Sequence, residues 1–213
     1  MKTAILFGAT GLIGNHLLDL LLNNPAYYKI KVFVRKEIKK KHPKLETYNI
    51  NFNELDKYTD QIIGDDCFFC IGTTRKQTPD KLNYIDTELS LPKKIADLTK
   101  KNNISSFIYV SSGGANANSK NLYLQNKGKA EDYIIKLSFN YTAIIQPSLL
   151  LGSRNENRVG EKIAQFLFKY LSFLFVGQLR PFKAIPAFNV ANAINKIINN
   201  NIEGIYFTSD KLE

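Results

Sequence analysis

Lys2-Thr-Ala-Ile-Leu-Phe7 runs directly into Gly8-Ala-Thr-Gly-Leu-Ile-Gly14, and the join between the two stretches decides the fold. The first stretch is apolar and short, as a buried strand should be. From Leu12 onward, leucines and isoleucines crowd a segment that suits a helix and that Asn24-Pro25 stops. Three glycines fill the join. Gly8 permits a tight turn, Gly11 leaves room for a ligand to approach the backbone, and Gly14 lets the helix lie close to the strand. Thr10, Leu12 and Ile13 complete the turn, and the first-turn amides face the same space at the positive end of the helix dipole. A glycine pattern alone says little. With a strand before it and a helix after it, the pattern predicts a cradle for the pyrophosphate of a dinucleotide.

Strand and helix patterns alternate outward from that join. Strands are expected at 3–7, 30–34, 45–52, 66–71, 107–111, 142–146 and 204–208. Helices are expected at 12–24, 80–102, 120–138, 158–175 and 189–200, with Pro92 forcing a kink or a new first turn. The strands are rich in Val, Ile and Phe without strict alternation, which suits a parallel sheet covered on both faces. The fold class is therefore α/β, a doubly wound parallel sheet (Rossmann fold). Residues 1–213 read as one domain, with about 151–213 forming a small substrate-side lobe.

A length of 213 residues supports one sizeable core and is short for two. No signal or transit peptide is evident ahead of the first strand. The longest apolar run, Phe166 to Val176, is interrupted by Lys169 and too short for a membrane span. That run suits core packing, a mobile lid or an oligomer surface, and cytoplasmic localisation is the default. Cys67 and Cys70 lie on one strand, three residues apart, so their sulfurs should face opposite ways rather than form a redox pair. His16 and His42 are isolated, and no metal site is expected.

The formal net charge is +10, much of it in Arg35-Lys-Glu-Ile-Lys-Lys-Lys-His-Pro-Lys44. Such a stretch serves as a solvated loop or as a site for nucleic acid, acidic membrane or a phosphorylated ligand. Nothing resembling a nucleic-acid recognition module accompanies it. Its position is informative. Arg35 and Lys36 follow the second strand, where NAD-preferring sites carry an acidic residue for the adenosine ribose. Cations there suit a 2′-phosphate, so NADP(H) is the preferred cofactor, with NAD(H) as the alternative.

Val110-Ser-Ser-Gly-Gly-Ala115 closes the fifth strand, and Tyr123-Leu-Gln-Asn-Lys127 opens the next helix. Tyr123 and Lys127, at i and i+4, share one helix face. An ammonium beside a phenol favours the phenolate, which fits the tyrosine for acid/base work near neutral pH. A serine hydroxyl at the strand end is placed to hold a substrate oxygen. Gly128 costs the helix about 1 kcal/mol relative to alanine, which points to a close packing approach.

With the glycine turn, Ser112, Tyr123 and Lys127 in hand, the chain resembles the short-chain dehydrogenase/reductase superfamily, in its atypical or extended branch. It is more closely similar to the Tat-interacting oxidoreductase group and its small bacterial relatives. Cys67-Phe-Phe-Cys-Ile-Gly-Thr-Thr-Arg75, Asn121-Leu-Tyr-Leu-Gln-Asn-Lys-Gly128 and Gly152-Ser-Arg-Asn-Glu-Asn-Arg-Val-Gly-Glu161 carry that similarity. The resemblance implies NADP(H) binding and a catalytic trio of Ser112, Tyr123 and Lys127, with Ser111 on the cofactor side. It also implies that Gly72 and Thr73 lie beneath the adenosine and ribose, and that Pro147 and Ser148 border the nicotinamide. Asp86 takes the place of an Asn that commonly completes the family's proton relay. Arg154 and Arg158 either pair with Glu156 and Glu161 at the surface or face an anionic or carbonyl-bearing substrate. Two functions follow as expectations: an oxidoreductase acting on a small-molecule carbonyl or hydroxyl substrate, or an NADP(H)-sensing protein that contacts a protein partner. A homodimer is compatible with both.

Overall fold

The computed structural model describes residues 1–151 and 184–212. Strand β1 (Lys2–Phe7) leads into helix α1 (Leu12–Asn23), and β2 (Tyr27–Val34) returns parallel to it. Next come β3 (Leu45–Asn49), β4 (Asp66–Phe69), α2 (Lys81–Ile85), α3 (Leu91–Lys101) and β5 (Ser106–Val110). Helix α4 (Leu122–Lys136), β6 (Tyr141–Gln146) and the short β7 (Leu150–Leu151) follow. After the undescribed stretch come β8 (Ile185–Pro186), α5 (Ala187–Asn199) and β9 (Tyr206–Thr208). Seven strands form one sheet in the order β3-β2-β1-β4-β5-β6-β9, every neighbouring pair parallel. This is the doubly wound Rossmann arrangement. The order reverses between β1 and β4, so a crevice opens at their carboxyl ends, where such sheets bind ligands.

Alternate residues of each strand serve opposite layers. Ala4, Leu6, Val32, Phe68, Ile108 and Val110 pack beneath α1 and α5. Ile5, Phe7, Phe33, Phe69, Phe107 and Tyr109 pack beneath α3 and α4. Full burial of such side chains contributes about 1.5–3 kcal/mol each, and both faces of the sheet draw on it. Cys67 and Cys70 follow the same alternation, Cys67 among the second set and Cys70 against the first. Burial raises the Cys70 thiol to about 12 and Cys67 well above its usual range, so neither offers a ready thiolate.

Three expected elements differ in detail. The third strand ends at Asn49, because the Asn51 side chain accepts from the Asn53 amide and starts a 3-10 turn over Phe52–Tyr58. The expected helix over 80–102 is split into α2, a π turn over Asp86–Ser90, and α3 with Pro92 in its first turn. Pro92 has no N–H to give the Glu88 carbonyl, so the preceding turn widens, and the Leu91 amide bonds back to the Asp86 carbonyl. Much of 184–212 belongs to the sandwich itself, since α5 packs on α1 and β9 extends the main sheet beside β6. The rest of the expected substrate-side lobe, 152–183, with the expected 158–175 helix and the apolar run 166–176, lies outside the described residues.

Candidate active site

At the end of β1 the backbone makes a pocket that only glycine permits. Gly8 has a φ of +88°, and a Cβ there would come within 2.6 Å of the Cys70 carbonyl carbon. A Cβ on Gly14 would lie 2.1 Å from the Gly8 oxygen, so α1 and the turn are in direct contact. The Gly11 amide donates to the Gly8 oxygen at 2.9 Å, and Gly11 caps α1 with no side-chain bond. The first-turn amides therefore face the crevice uncovered by any capping side chain. Thr10 is exposed, Leu12 half-buried, and the Ile13 side chain belongs to the core, leaving Ile13 its backbone amide as its only ligand-facing group. These residues fit a dinucleotide pyrophosphate on shape and charge.

Arg35 and Lys36 emerge exposed just past Val34 at the end of β2. Further along the basic stretch, Lys40 pairs with Asp19 and the Lys44 ammonium donates to the Asn24 carbonyl at 2.9 Å. Those lysines tie the loop to α1. Arg35 and Lys36 have no acidic partner among the described residues.

The opposite wall is built on α4. Asn121 caps it by accepting from the Tyr123 and Leu124 amides at 2.9 and 3.3 Å. That cap fixes the helix start, and with it the stripe Tyr123, Lys127, Glu131. Lys127 is 3% exposed. Its ammonium donates to the Val110 carbonyl at 3.2 Å, lies 3.0 Å from a Glu88 carboxylate oxygen and sits over the Tyr109 ring at 4.9 Å. Burial works against the ammonium, but Tyr109, Glu88 and Tyr123 outweigh it and hold Lys127 protonated above the usual lysine range. The other Glu88 oxygen accepts from the Thr73 amide at 2.5 Å. Tyr123 is half-buried and opens onto a cleft of about 510 Å³.

The two strand-end serines have different surroundings. Ser111 is buried, and its hydroxyl donates to the Glu131 carboxylate, whose two oxygens also accept from the Gln146 amide at 3.0 and 3.1 Å. Ser112 is half-buried, and among the described residues its hydroxyl makes a long 3.5 Å contact to the Gly113 carbonyl. Gly72 lies beside the ion pair, where a Cβ would come 3.7 Å from Glu88 and 3.9 Å from Lys127. The Thr73 hydroxyl is 2.8 Å from that of Thr78. The Pro147 carbonyl accepts from the Gly113 amide at 2.7 Å, and the Ser148 amide donates to the Ser209 hydroxyl at 2.8 Å. Arg154 and Arg158 lie outside the described residues.

Asp86, expected at the relay, is exposed on the π turn. Glu88, two residues on, is the carboxylate at the site, 1% exposed and paired with Lys127. Sequence reading missed it together with Glu131. Glu131 had a signal, since it continues the i, i+4 stripe from Tyr123; Glu88 had none in a local period, because the π turn over Asp86–Ser90 sets its position. Among the described residues no group of three or more His, Cys, Asp or Glu is arranged to hold a metal ion, and no helix is long and apolar enough to cross a membrane.

Comparison with known proteins bears on family and fold. The NAD(P)H-binding family model matches residues 8–171. Protein FMP52, mitochondrial, of Candida albicans is 32% identical over 200 residues, covering 90% of this chain and 86% of the relative. Protein HTATIP2 of Rattus norvegicus is 32% identical over 172 residues, covering 78% of this chain and 70% of the relative. Among solved structures, the Bordetella bronchiseptica enzyme WbmH in complex with NAD+ superposes with a TM-score of 0.70 at 18% identity, covering 98% of this chain and 76% of that one. At that identity the likeness is one of fold.

Proposed function

The chain belongs to the NAD(P)H-binding family, in the atypical short-chain dehydrogenase/reductase group of HTATIP2 and FMP52, and from that membership we propose that it is an NADP(H)-dependent oxidoreductase acting on a small carbonyl or hydroxyl compound. The observation that carries the reading is the placement of Tyr123 in the lining of the cleft, one helical turn from the buried Lys127 ammonium that Glu88 pairs at 3.0 Å. The glycine turn would hold the pyrophosphate of a nicotinamide cofactor, which would supply or accept the hydride. In the reducing direction the Tyr123 hydroxyl gives its proton to the carbonyl oxygen and is reprotonated from solvent. In the oxidising direction the phenolate takes that proton back. The Lys127 ammonium stabilises the phenolate form through their shared helix face, and the Ser112 hydroxyl orients the oxygen. A cytoplasmic site of action is part of the same proposal, and cell fractionation tests it.

Tyr123→Phe keeps the ring and removes the proton. Turnover should fall by about 10²–10⁴, the usual worth of a general acid/base, while the NADPH dissociation constant measured by fluorescence titration stays unchanged. A Phe variant as active as the wild type on any carbonyl it reduces overturns the assignment. One observation favours a second reading, an NADP(H)-sensing protein with little turnover: the Lys127 ammonium is already engaged by both Glu88 and the Val110 carbonyl. Tight NADPH binding with no turnover over a broad carbonyl panel would select it.

A further inference from the structure

We propose that the cleft beside Tyr123 takes a substrate carrying an anionic oxyacid group, a carboxylate or a phosphate, with Arg75 as its main anchor and Lys81 as a second cation. The proposal rests on the reading of Tyr123 as the acid/base group and adds the substrate's chemical class. The cleft's volume of about 510 Å³ is in the ordinary range for small-ligand sites. Its described lining includes Arg75, Lys81, Tyr84 and Tyr123 and no acidic residue. Arg75 lies in the loop leading from β4 to α2, and Lys81 is the first residue of α2.

Some cations elsewhere on this surface are matched with acids, Lys29 with Glu46, Lys40 with Asp19, Lys57 with Glu54, and Lys94 with Asp56, and others stand in solvent; Arg75 and Lys81 differ from those in sharing one cleft with Tyr123. Arg75 and Lys81 have no acidic partner among the described residues. The nearest candidates in sequence are otherwise employed. Asp80 accepts from the Asn83 amide at 2.8 Å as the cap of α2, and Asp86 lines a different cleft with Phe52 and Lys94. Arg75 is nonetheless held in place. Its guanidinium carbon stands 5.2 Å from the centre of the Tyr84 ring, and Tyr84 is buried. Burial raises that phenol to about 12, so the ring stays neutral beneath the cation. A guanidinium held over a ring face keeps its N–H edges available for a bidentate oxyanion contact, which a flexible solvated side chain achieves less readily. The cofactor's own anionic groups have other partners in the proposed arrangement, the pyrophosphate at the glycine turn and the 2′-phosphate at Arg35. Arg75 and Lys81 are then surplus to cofactor binding and share a cleft with the residue that moves the proton.

Calorimetry on the full chain saturated with NADPH tests this with two matched pairs of probes: benzoylformate against its methyl ester, and dihydroxyacetone phosphate against dihydroxyacetone. The charged member of at least one pair should bind about 10- to 100-fold more tightly, the worth of one or two charge-assisted hydrogen bonds. The pair with the larger ratio identifies carboxylate or phosphate as the natural group. Arg75→Ala should remove most of that ratio, and Lys81→Ala a smaller part, with NADPH affinity unchanged in both. Equal binding of charged and neutral probes, or no binding of either anion, overturns the proposal. So does a loss of NADPH affinity in Arg75→Ala, which would give the cation to the cofactor. Anion binding that persists in Tyr123→Phe, or in a wild type that reduces neither probe, supports the anion site whatever becomes of the oxidoreductase reading.

Discussion

Glu131 sits one helical turn beyond Lys127, with its carboxylate under the end of β5. Burial raises its pKa; the Gln146 and Ser111 hydrogen bonds and the Lys127 charge oppose that shift without cancelling it. An unfolded chain releases this proton near the ordinary glutamate value of about 4.3, whereas the native state holds it to higher pH. The stabilisation linked to that proton is fully present below the unfolded pKa and is lost as pH rises through the folded one. Glu131→Gln removes the titration and should flatten the fall in Tm from pH 4 upward, in a series of thermal melts at fixed ionic strength. An unchanged slope in the variant would mean that Glu131 does not titrate within that window.

At the scale of elements, the site depends on two helices approaching it unusually closely. A Cβ on Gly128 would lie 2.3 Å from the Ala117 nitrogen and the Asn116 carbonyl carbon, so α4 rests directly on the loop ahead of it. Alanine is worth about 1 kcal/mol more than glycine in a helix interior, but backbone, which cannot rotate away, fills the space it needs. Overpacking of this kind costs about 1–3 kcal/mol, so Gly128→Ala should lower Tm, by about 2–4 °C for each net kcal/mol at this chain length. A Tm at or above that of the wild type would show that the loop yields freely. The close approach was legible in the sequence as a glycine inside an otherwise good helix. So were the glycine turn, and Tyr123 and Lys127 as one face of α4, because each follows from a local period. The π turn was not legible. Pro92 announced an interruption, but its form depends on how the Asp86–Ser90 backbone closes against α4, and that closure carries Glu88 rather than Asp86 to Lys127. The end of β3 was missed for a similar reason, a side-chain cap at Asn51 overriding a run of strand-forming residues.

For the whole molecule, 29 basic against 19 acidic residues give a formal charge of +10, and every anionic cofactor meets that field. A field alone favours NADPH over NADH, since NADPH carries the extra 2′-phosphate, yet it does so diffusely. Arg35 is a local source of the same preference, exposed at the end of β2 with Lys36 beside it. Salt distinguishes the two, because the Debye length falls from about 10 Å at 0.1 M to 3 Å at 1 M and strips away the diffuse part first. A guanidinium making paired hydrogen bonds to a phosphate keeps much of its effect, each bond contributing about 1.5–3 kcal/mol before discounting for exposure. NADPH should therefore bind about 10- to 100-fold more tightly than NADH at 0.1 M salt, 1.4 kcal/mol being tenfold, and part of that ratio should survive at 1 M. In Arg35→Ala the surviving part should vanish, leaving only the salt-sensitive remainder from Lys36 and the net charge. Titrating both cofactors into wild type and variant at the two salt concentrations measures each part. If the variant loses affinity for NADH as much as for NADPH, Arg35 stacks on the adenine common to both, and the phosphate reading fails.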